Sequence, residues 1–153
     1  LYVDGFIAGA ESAGASATAS YTGSFSDVAL ASETAQAFAS QNVDVLTGTA
    51  QMVVGAIGVA NDEGILWFGT QANQTEGAPN IVVASQVYHW EVILEDIIKN
   101  VQDGDLGGDV FVITLENEGL VIEYNDGYDL PDDVKQAGED AIEGIKDGSI
   151  STS

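Results

Sequence analysis

Basic residues are scarce in this chain of 153 residues, which has three lysines and no arginine. A protein that binds nucleic acid or anionic lipid needs a basic surface, so the composition excludes both kinds of partner. Cysteine does not occur, which excludes disulfide bonds and thiolate metal sites. No apolar run reaches the roughly 18 residues of a membrane-spanning helix. The chain begins without an initiating methionine, and we expect a mature or truncated product.

Acidic residues dominate the charge that is present. Aspartate and glutamate total 25, which gives a formal net charge of −22, and 45% of the residues are hydrophobic. This apolar content and length are enough for one domain with a core. The carboxylates repel one another at low salt, whereas at about 1 M salt the screening length falls to about 3 Å and the repulsion largely disappears. We therefore predict a protein from a hypersaline habitat; an acidic surface that steers a ligand is the alternative.

The stretch 44–71 predicts a βαβ unit at the centre of the fold. A short β-rich run ends at Gly48, apolar residues at near-helical spacing follow as far as Ala60, and a second apolar run ends at Gly69. Parallel strands need a crossover of this kind. Ligands of open α/β sheets bind beyond the carboxyl ends of the strands, so Gly48 and Gln71 mark the first place to look for function.

The rest of the chain alternates helical and strand patterns, which predicts an α/β fold with a mostly parallel sheet flanked by helices. Further helices are predicted at 2–15, 26–41, 90–101 and 131–147. Further strands are predicted at 17–21, 81–85, 109–115 and 119–124. Ser26 is the predicted N-cap of the second helix. The apolar side of the helix at 90–101 is expected to face inward, with Ile93, Leu94, Ile97, Ile98 and Val101.

Candidates for catalysis are few. His89 is the single histidine, so a Ser-His-acid triad would have to use it, and Tyr88 and Trp90 make an aromatic patch beside it. A structural or surface histidine is the simpler interpretation, and a ligand-facing or catalytic histidine is the alternative. No phosphate-binding glycine loop or metal-binding histidine motif occurs in the required context.

Phe25 is the most informative loop residue. It lies between Ser24 and Ser26 at the entry to a predicted helix, with Asp27 next along the chain. Such an aromatic side chain can stack on a flat ring while its polar neighbours form hydrogen bonds with the edge of that ring. A hydrophobic staple on the start of the helix is an equal alternative.

Several short segments occur in a characteristic order. They are YTGSFSD at 21–27 before a helix, VDVL at 43–46, Ser85 before an aromatic residue and a helix, DG at 103–104, LPDDV at 130–134 and DGSI at 147–150. This order resembles the basic membrane protein (BMP, PnrA-like) lipoproteins over nearly the whole chain. Proteins of that family are substrate-binding components of ABC importers, many of them for purine nucleosides.

The resemblance implies a two-lobed fold of which this chain is one part. Family members are about twice as long and have two α/β lobes around a cleft, joined by three crossovers. Residues 1–153 match the carboxyl-terminal part, mostly lobe two, and are expected to form a periplasmic-binding-protein-like type I lobe that is incomplete relative to the family fold. Residues 81–102 are expected to cross to lobe one, which would be a separate chain or a removed segment.

The resemblance also implies a binding site without cofactor, metal or catalysis. Phe25 would stack on the base of a nucleoside. Gln71 stands where the family usually has an aspartate for the ribose hydroxyls, with Asn73 two residues later, and Tyr88 stands where many members have a lysine. The expected ligand-binding residues are Phe25, Asp27, Gly48, Gln71, Asn73, Tyr88 and His89.

These inferences lead to an extracytoplasmic solute-binding component of an ABC importer, which holds a purine nucleoside or a related planar ligand in an interlobe cleft. Its expected partners are the ligand, a membrane permease and the missing amino-terminal lobe. We expect attachment to the membrane through an upstream lipid-modified segment. The alternatives are an α/β enzyme that uses His89 and the ligand-sensing domain of a regulator.

Overall fold

The computed structural model describes residues 2–152, which form five α-helices and four β-strands. The helices are α1 (Tyr2–Ser12), α2 (Val28–Ala39), α3 (Val53–Glu63), α4 (Glu91–Gln102) and α5 (Asp132–Lys146). The strands are β1 (Val45–Thr47), β2 (Leu66–Gln71), β3 (Val82–Tyr88) and β4 (Leu120–Tyr124). A short 3-10 turn at Thr75–Gly77 lies between β2 and β3.

The strands form one open sheet in the order β1-β2-β3-β4. β1, β2 and β3 are parallel, and β4 pairs antiparallel with β3. Helix α3 connects β1 to β2, as the predicted βαβ unit requires, because a tight turn cannot join parallel neighbours. The predicted α/β class and mostly parallel sheet are therefore confirmed.

The main core lies between one face of the sheet and helices α2 and α3. Trp67 of β2 is 1% exposed and belongs to the same buried cluster as Ala60 of α3. The indole Nε1 of Trp67 donates a hydrogen bond of 2.7 Å to Oε1 of Gln74, which satisfies the polar atom of the ring. Helices α2 and α3 approach so closely that a Cβ at Gly55 would collide with the carbonyl oxygen of Val28.

The opposite face of the sheet meets α1 and α5. The hydroxyl of Tyr2 lies 2.6 Å from Oγ1 of Thr47, and the ring centroids of Phe6 and Phe68 are 6.1 Å apart. Burial raises the pKa of Tyr2, so its hydroxyl stays neutral and keeps this hydrogen bond. Tyr124 of β4 contacts α5 on the same face of the sheet.

Two predicted strands, at 17–21 and 109–115, are wrong, since neither segment enters the sheet. Residues 17–21 have no strand beside them within 2–152, and strand-forming residues need such a partner. In the second segment, Oδ1 of Asn117 accepts a 2.9 Å hydrogen bond from the backbone N–H of Thr114. Nδ2 of Asn117 donates to the carbonyl oxygen of Val112 at 2.8 Å. A side chain thus occupies backbone groups that a strand ladder would use.

Two predicted details of the helices are also wrong. The N-cap of α2 is Asp27 rather than Ser26, and the carboxylate of Asp27 accepts a hydrogen bond from the backbone N–H of Leu30 at 3.0 Å. Leu94 and Ile98 of α4, predicted to face inward, are 50% and 55% exposed. The amphipathic pattern of α4 is present, but its apolar side is covered only in part, since Ile93 and Ile97 are half-buried whereas Leu94, Ile98 and Val101 are exposed.

A buried asparagine ties the end of β4 to the start of β3. Asn125 is 6% exposed, and its Nδ2 donates to the carbonyl oxygens of Pro79 and Val82 at 2.8 and 2.7 Å. Its Oδ1 accepts from the N–H of Gly127 at 2.9 Å. We expect Asn125→Ala to lower the free energy of unfolding by about 2 kcal/mol, because buried backbone groups lose their partner. Chemical denaturation in high salt measures this, with the exposed Asn80→Ala as control, and equal stabilities of the two variants would contradict it.

Candidate functional site

The carboxyl ends of β1, β2 and β3 meet at one edge of the sheet, because these strands are parallel. The carboxyl edge is defined here as residues 22–27, 48–52, 71–75 and 85–89 together with Glu123. Neighbouring strands in a sheet lie about 4.8 Å apart, so these segments are close in space. The loop before α2 joins them because the carbonyl oxygen of Phe25 accepts a 3.3 Å hydrogen bond from the N–H of Met52. All the predicted site residues belong to this edge.

The ring of Phe25 projects from the carboxyl edge with 77% of the residue exposed. The turn that carries it is fixed by Oγ of Ser24, which accepts hydrogen bonds from the N–H groups of Ser26 and Asp27 at 3.3 and 3.1 Å. A hydrophobic staple would bury the ring against the helix, so that interpretation of Phe25 is wrong. An exposed aromatic face at the ends of parallel strands is available for contact with a flat ligand.

Asp27 and Gly48 both stabilise the carboxyl edge. Asp27 uses Oδ1 to cap α2 through the N–H of Leu30, at 3.0 Å. The carbonyl oxygen of Gly48 accepts a hydrogen bond from Oγ1 of Thr70 at 2.6 Å. A Cβ at Gly48 would lie 3.1 Å from Cγ1 of Val53, so the packing where β1 meets α3 is tight.

β2 ends in a turn that carries the chain over β3. Gln71 is exposed and has φ = 71°, a left-handed conformation that residues other than glycine rarely adopt. After this turn, Oδ1 of Asn73 accepts a hydrogen bond from the backbone N–H of Thr75 at 2.9 Å. Nδ2 of Asn73 donates to Oε2 of Glu123 at 2.7 Å. Because Glu123 belongs to β4, this hydrogen bond spans the intervening strand β3.

Glu123 is the residue of this edge that sequence reasoning missed. Besides the contact with Asn73, its Oε1 lies 3.7 Å from Nε2 of His89, and its side chain is 39% exposed. A signal was available, since Glu123 is the one charged residue within the sequence LVIEY of β4. A charge in an otherwise apolar strand marks a group that has a partner or a function.

Tyr88 and His89 follow one another in sequence but have different surroundings. Tyr88 lies three residues after Ser85, the register partner of Glu123. Because side chains alternate along a strand, Tyr88 faces the α1 side of the sheet and Glu123 the other side. The ring of Tyr88 packs against that of Trp90, with centroids 5.4 Å apart. The structure therefore groups His89 with Glu123 and sets Tyr88 apart.

The carboxyl edge carries no lysine or arginine. The lysines, Lys99, Lys135 and Lys146, lie on α4 and α5. The edge does carry the carboxylates of Asp27 and Glu123, so a phosphate group would meet charge of its own sign there. Among residues 2–152, no group of three or more histidine, aspartate and glutamate side chains is placed to hold a metal ion.

The two best-formed depressions of residues 2–152 lie away from Phe25 and Gln71. A depression of about 390 Å³ lies between α3 and the loop that contains Gln74 and Gly77. A smaller one of about 90 Å³ lies between α4 and residues 105–111. Neither depression is lined by Phe25 or Gln71.

Residues 1–151 match the model of a protein family described as Bmp, ABC transporter substrate-binding protein PnrA-like. The chain belongs to this PnrA-like family. A purine-binding protein of Brucella abortus (strain 2308) is 30% identical over 130 residues, which are 85% of this chain and 36% of that protein. The match to the PnrA-like family confirms the family predicted from the order of sequence segments.

Solved structures share the fold of this PnrA-like chain at low identity. An ABC transporter solute-binding protein from Aeropyrum pernix K1 has a TM-score of 0.79 at 20% identity, over 98% of this chain and 51% of that one. A solute-binding protein from Conexibacter woesei DSM 14684 has a TM-score of 0.69 at 19% identity, over 90% and 46%. A transcriptional activator of the comK gene from Bacillus halodurans has a TM-score of 0.71 at 22% identity, over 82% and 44%. The chain thus spans about half the length of these proteins.

Membership of the PnrA-like family, one of ABC transporter substrate-binding proteins, implies an extracytoplasmic location. Within residues 2–152, every helix is too short or too polar to pass through a membrane.

Proposed function

We propose that this chain is the carboxyl-terminal part of a non-enzymatic solute-binding protein that captures a purine nucleoside, or a related planar ligand, for an ABC importer. The observation that carries the proposal is the ring of Phe25, 77% exposed at the carboxyl edge of a parallel sheet. The 30% identity with a purine-binding protein supports the choice of a purine.

In this proposal, Phe25 provides most of the affinity that comes from this lobe. Stacking of a base on an aromatic side chain contributes about 1–3 kcal/mol. Polar groups of the same edge then hold the rim of the ligand, and they are Asp27, Gln71, Asn73 and His89. Gly48 and Tyr88 shape the edge, Gly48 by its small size against α3 and Tyr88 through its packing on Trp90.

The opposite wall of the cleft is proposed to be an amino-terminal lobe. The chain spans about half the length of the solute-binding proteins that share its fold, which supports a second lobe. Helix α4 exposes an apolar side, with Leu94, Ile98 and Val101 each at least 50% exposed, and such a surface is typical of an interface. β3 is paired on both sides within this sheet, so we place the crossing to lobe one after Tyr88, at α4.

A transport role fits the surroundings of the single histidine. His89 faces the carboxylate of Glu123 at 3.7 Å rather than a hydroxyl nucleophile, and the family consists of substrate-binding proteins. We propose that closure of the two lobes on the ligand presents the protein to a permease. We further propose that an upstream lipid-modified segment holds it at the membrane, outside the cytoplasm.

Isothermal titration calorimetry of the full-length gene product in molar salt tests this function. We expect adenosine, guanosine or adenine to bind with a dissociation constant of about 1 μM or tighter, a binding free energy of about −8 kcal/mol. Uridine serves as the control for a smaller ring. If no purine binds while uridine or another solute does, the proposed ligand class is wrong.

A further inference from the structure

We propose that Glu123 determines specificity by accepting hydrogen bonds from the sugar hydroxyl groups of the ligand. The protein would then prefer a neutral ribonucleoside to a dideoxynucleoside and to a nucleotide. This inference rests on the proposed function. Family resemblance directs the sugar to the end of β2, where this chain has the uncharged Gln71. The structure places a carboxylate at the same edge, on β4 instead.

The position of Glu123 suits the far end of a nucleoside whose base lies on Phe25. The carbonyl oxygen of Phe25 accepts a hydrogen bond from the N–H of Met52, which joins its loop to the segment between β1 and α3, and Asn73 extends from β2 across β3 to Glu123. Glu123 lies on β4, three strand spacings or about 14 Å from β1, but its carboxylate reaches back to Asn73 and to His89, which follows β3. The distance left for a ligand is then the two spacings from β1 to β3, about 10 Å. That span is comparable to the length of a nucleoside, so one ligand can touch both ends of the edge.

The carboxylate of Glu123 is oriented before any ligand arrives. Oδ1 of Asn73 is occupied by the N–H of Thr75 at 2.9 Å, which fixes the amide so that Nδ2 points at Oε2 of Glu123 at 2.7 Å. An ionised carboxylate has about four acceptor positions, so one hydrogen bond from Asn73 leaves capacity for the hydroxyls of a sugar. With 39% of its side chain exposed, Glu123 is accessible to them. Asn73 is thus a positioning residue.

Charge gives the second part of the selectivity. Hydrogen bonds from a hydroxyl to an ionised carboxylate are stronger than those between neutral groups, whereas a phosphate next to Glu123 and Asp27 is repelled. The lysines lie on α4 and α5, so no lysine of the carboxyl edge compensates this repulsion. The expected order of affinity is therefore adenosine first, with its dideoxy analogue and adenosine monophosphate both weaker.

The test compares the affinities of adenosine and its dideoxy analogue in the full-length gene product and in Glu123→Gln. The wild type is expected to bind adenosine about tenfold or more tightly than the dideoxy analogue, which corresponds to one hydrogen bond with a charged group. Glu123→Gln is expected to bring this ratio close to one without changing the affinity for the dideoxy analogue. Glu63→Gln, which removes an exposed charge at the carboxyl end of α3, on the other side of the sheet from the carboxyl edge, is the matched control and should keep the ratio of the wild type.

Asn73→Ala provides a second, independent variant. Loss of the amide frees the carboxylate of Glu123, so we expect the ratio of the affinities for adenosine and its dideoxy analogue to lie between those of the wild type and Glu123→Gln. If Asn73 had a purely structural role, Asn73→Ala would lower the affinities for both ligands equally. If Glu123→Gln keeps the wild-type ratio while Phe25→Ala weakens both ligands, the role of Glu123 is wrong and the proposed function stands. If the wild type binds no purine compound, both are wrong.

Discussion

Transfer of the protein from molar salt to dilute buffer is expected to destabilise its fold and to lower its Tm by about 10 °C or more. The chain has 25 acidic residues against three lysines, and its formal net charge is −22. The screening length is about 3 Å at 1 M salt and about 30 Å at 0.01 M, so repulsion that is local in the first case acts across the domain in the second. Compensation is slight, since Lys146 and Glu143 form a surface pair at 3.0 Å, a kind of contact that contributes little. This behaviour is what we propose for a protein of a hypersaline habitat.

Thermal unfolding followed by circular dichroism across a salt series measures this effect. At about 2–4 °C per kcal/mol for a domain of this size, we expect the midpoint Tm to rise by about 10 °C or more between dilute and molar sodium chloride. Sucrose is the control, because it favours burial without screening charge. A Tm that rises equally with sucrose and with salt, or stays constant in the salt series, would show that charge repulsion does not limit stability.

Phe25→Ala is expected to weaken purine binding about 5- to 150-fold, the range that corresponds to a stacking contribution of about 1–3 kcal/mol. The ring is 77% exposed, so its removal costs little folding stability and the loss of affinity reports on the ligand contact. Titration calorimetry of the variant and the wild type in molar salt gives the comparison directly.

Two further variants make this result specific to the aromatic face. Phe25→Trp keeps a flat ring at the same position and should bind within a few-fold of the wild type. Val134→Ala removes an exposed apolar group, 51% accessible in the first turn of α5, and should not change affinity. Unchanged affinity of Phe25→Ala for every bound purine would exclude the stacking role.

The parts of the fold that sequence predicted well are those in which local pattern and tertiary packing agree. The stretch 44–71 has strand, helix and strand patterns in order, and each meets a neighbour within the chain, so the βαβ unit was predictable. Residues 17–21 have the composition of a strand but no strand beside them in residues 2–152. Helix α4 has the pattern of a buried face, yet Leu94, Ile98 and Val101 of that face are exposed. Pattern reports what a segment can bury, and whether burial occurs depends on what lies next to it.

The candidate site was predictable to a similar extent. The strand-end rule pointed to Gly48 and Gln71, the loop argument to Phe25 and the family resemblance to Asn73, all without knowledge of the contacts between them. Glu123 was missed because its importance depends on a hydrogen bond with Asn73, which is 50 residues away in sequence. The left-handed turn at Gln71 that makes this contact possible has no signature in the sequence, since glutamine seldom adopts that conformation.

A crystal structure of the full-length gene product with bound adenosine is the most direct test of how this edge works. We predict that the purine lies parallel to the ring of Phe25 at about 3.5–4.0 Å, the distance of optimal carbon–carbon contact, with its sugar hydroxyls directed at Glu123. A nucleoside bound elsewhere, such as in the depression beside α3, with the ring of Phe25 left in solvent, would contradict a ligand site at the carboxyl ends of the strands.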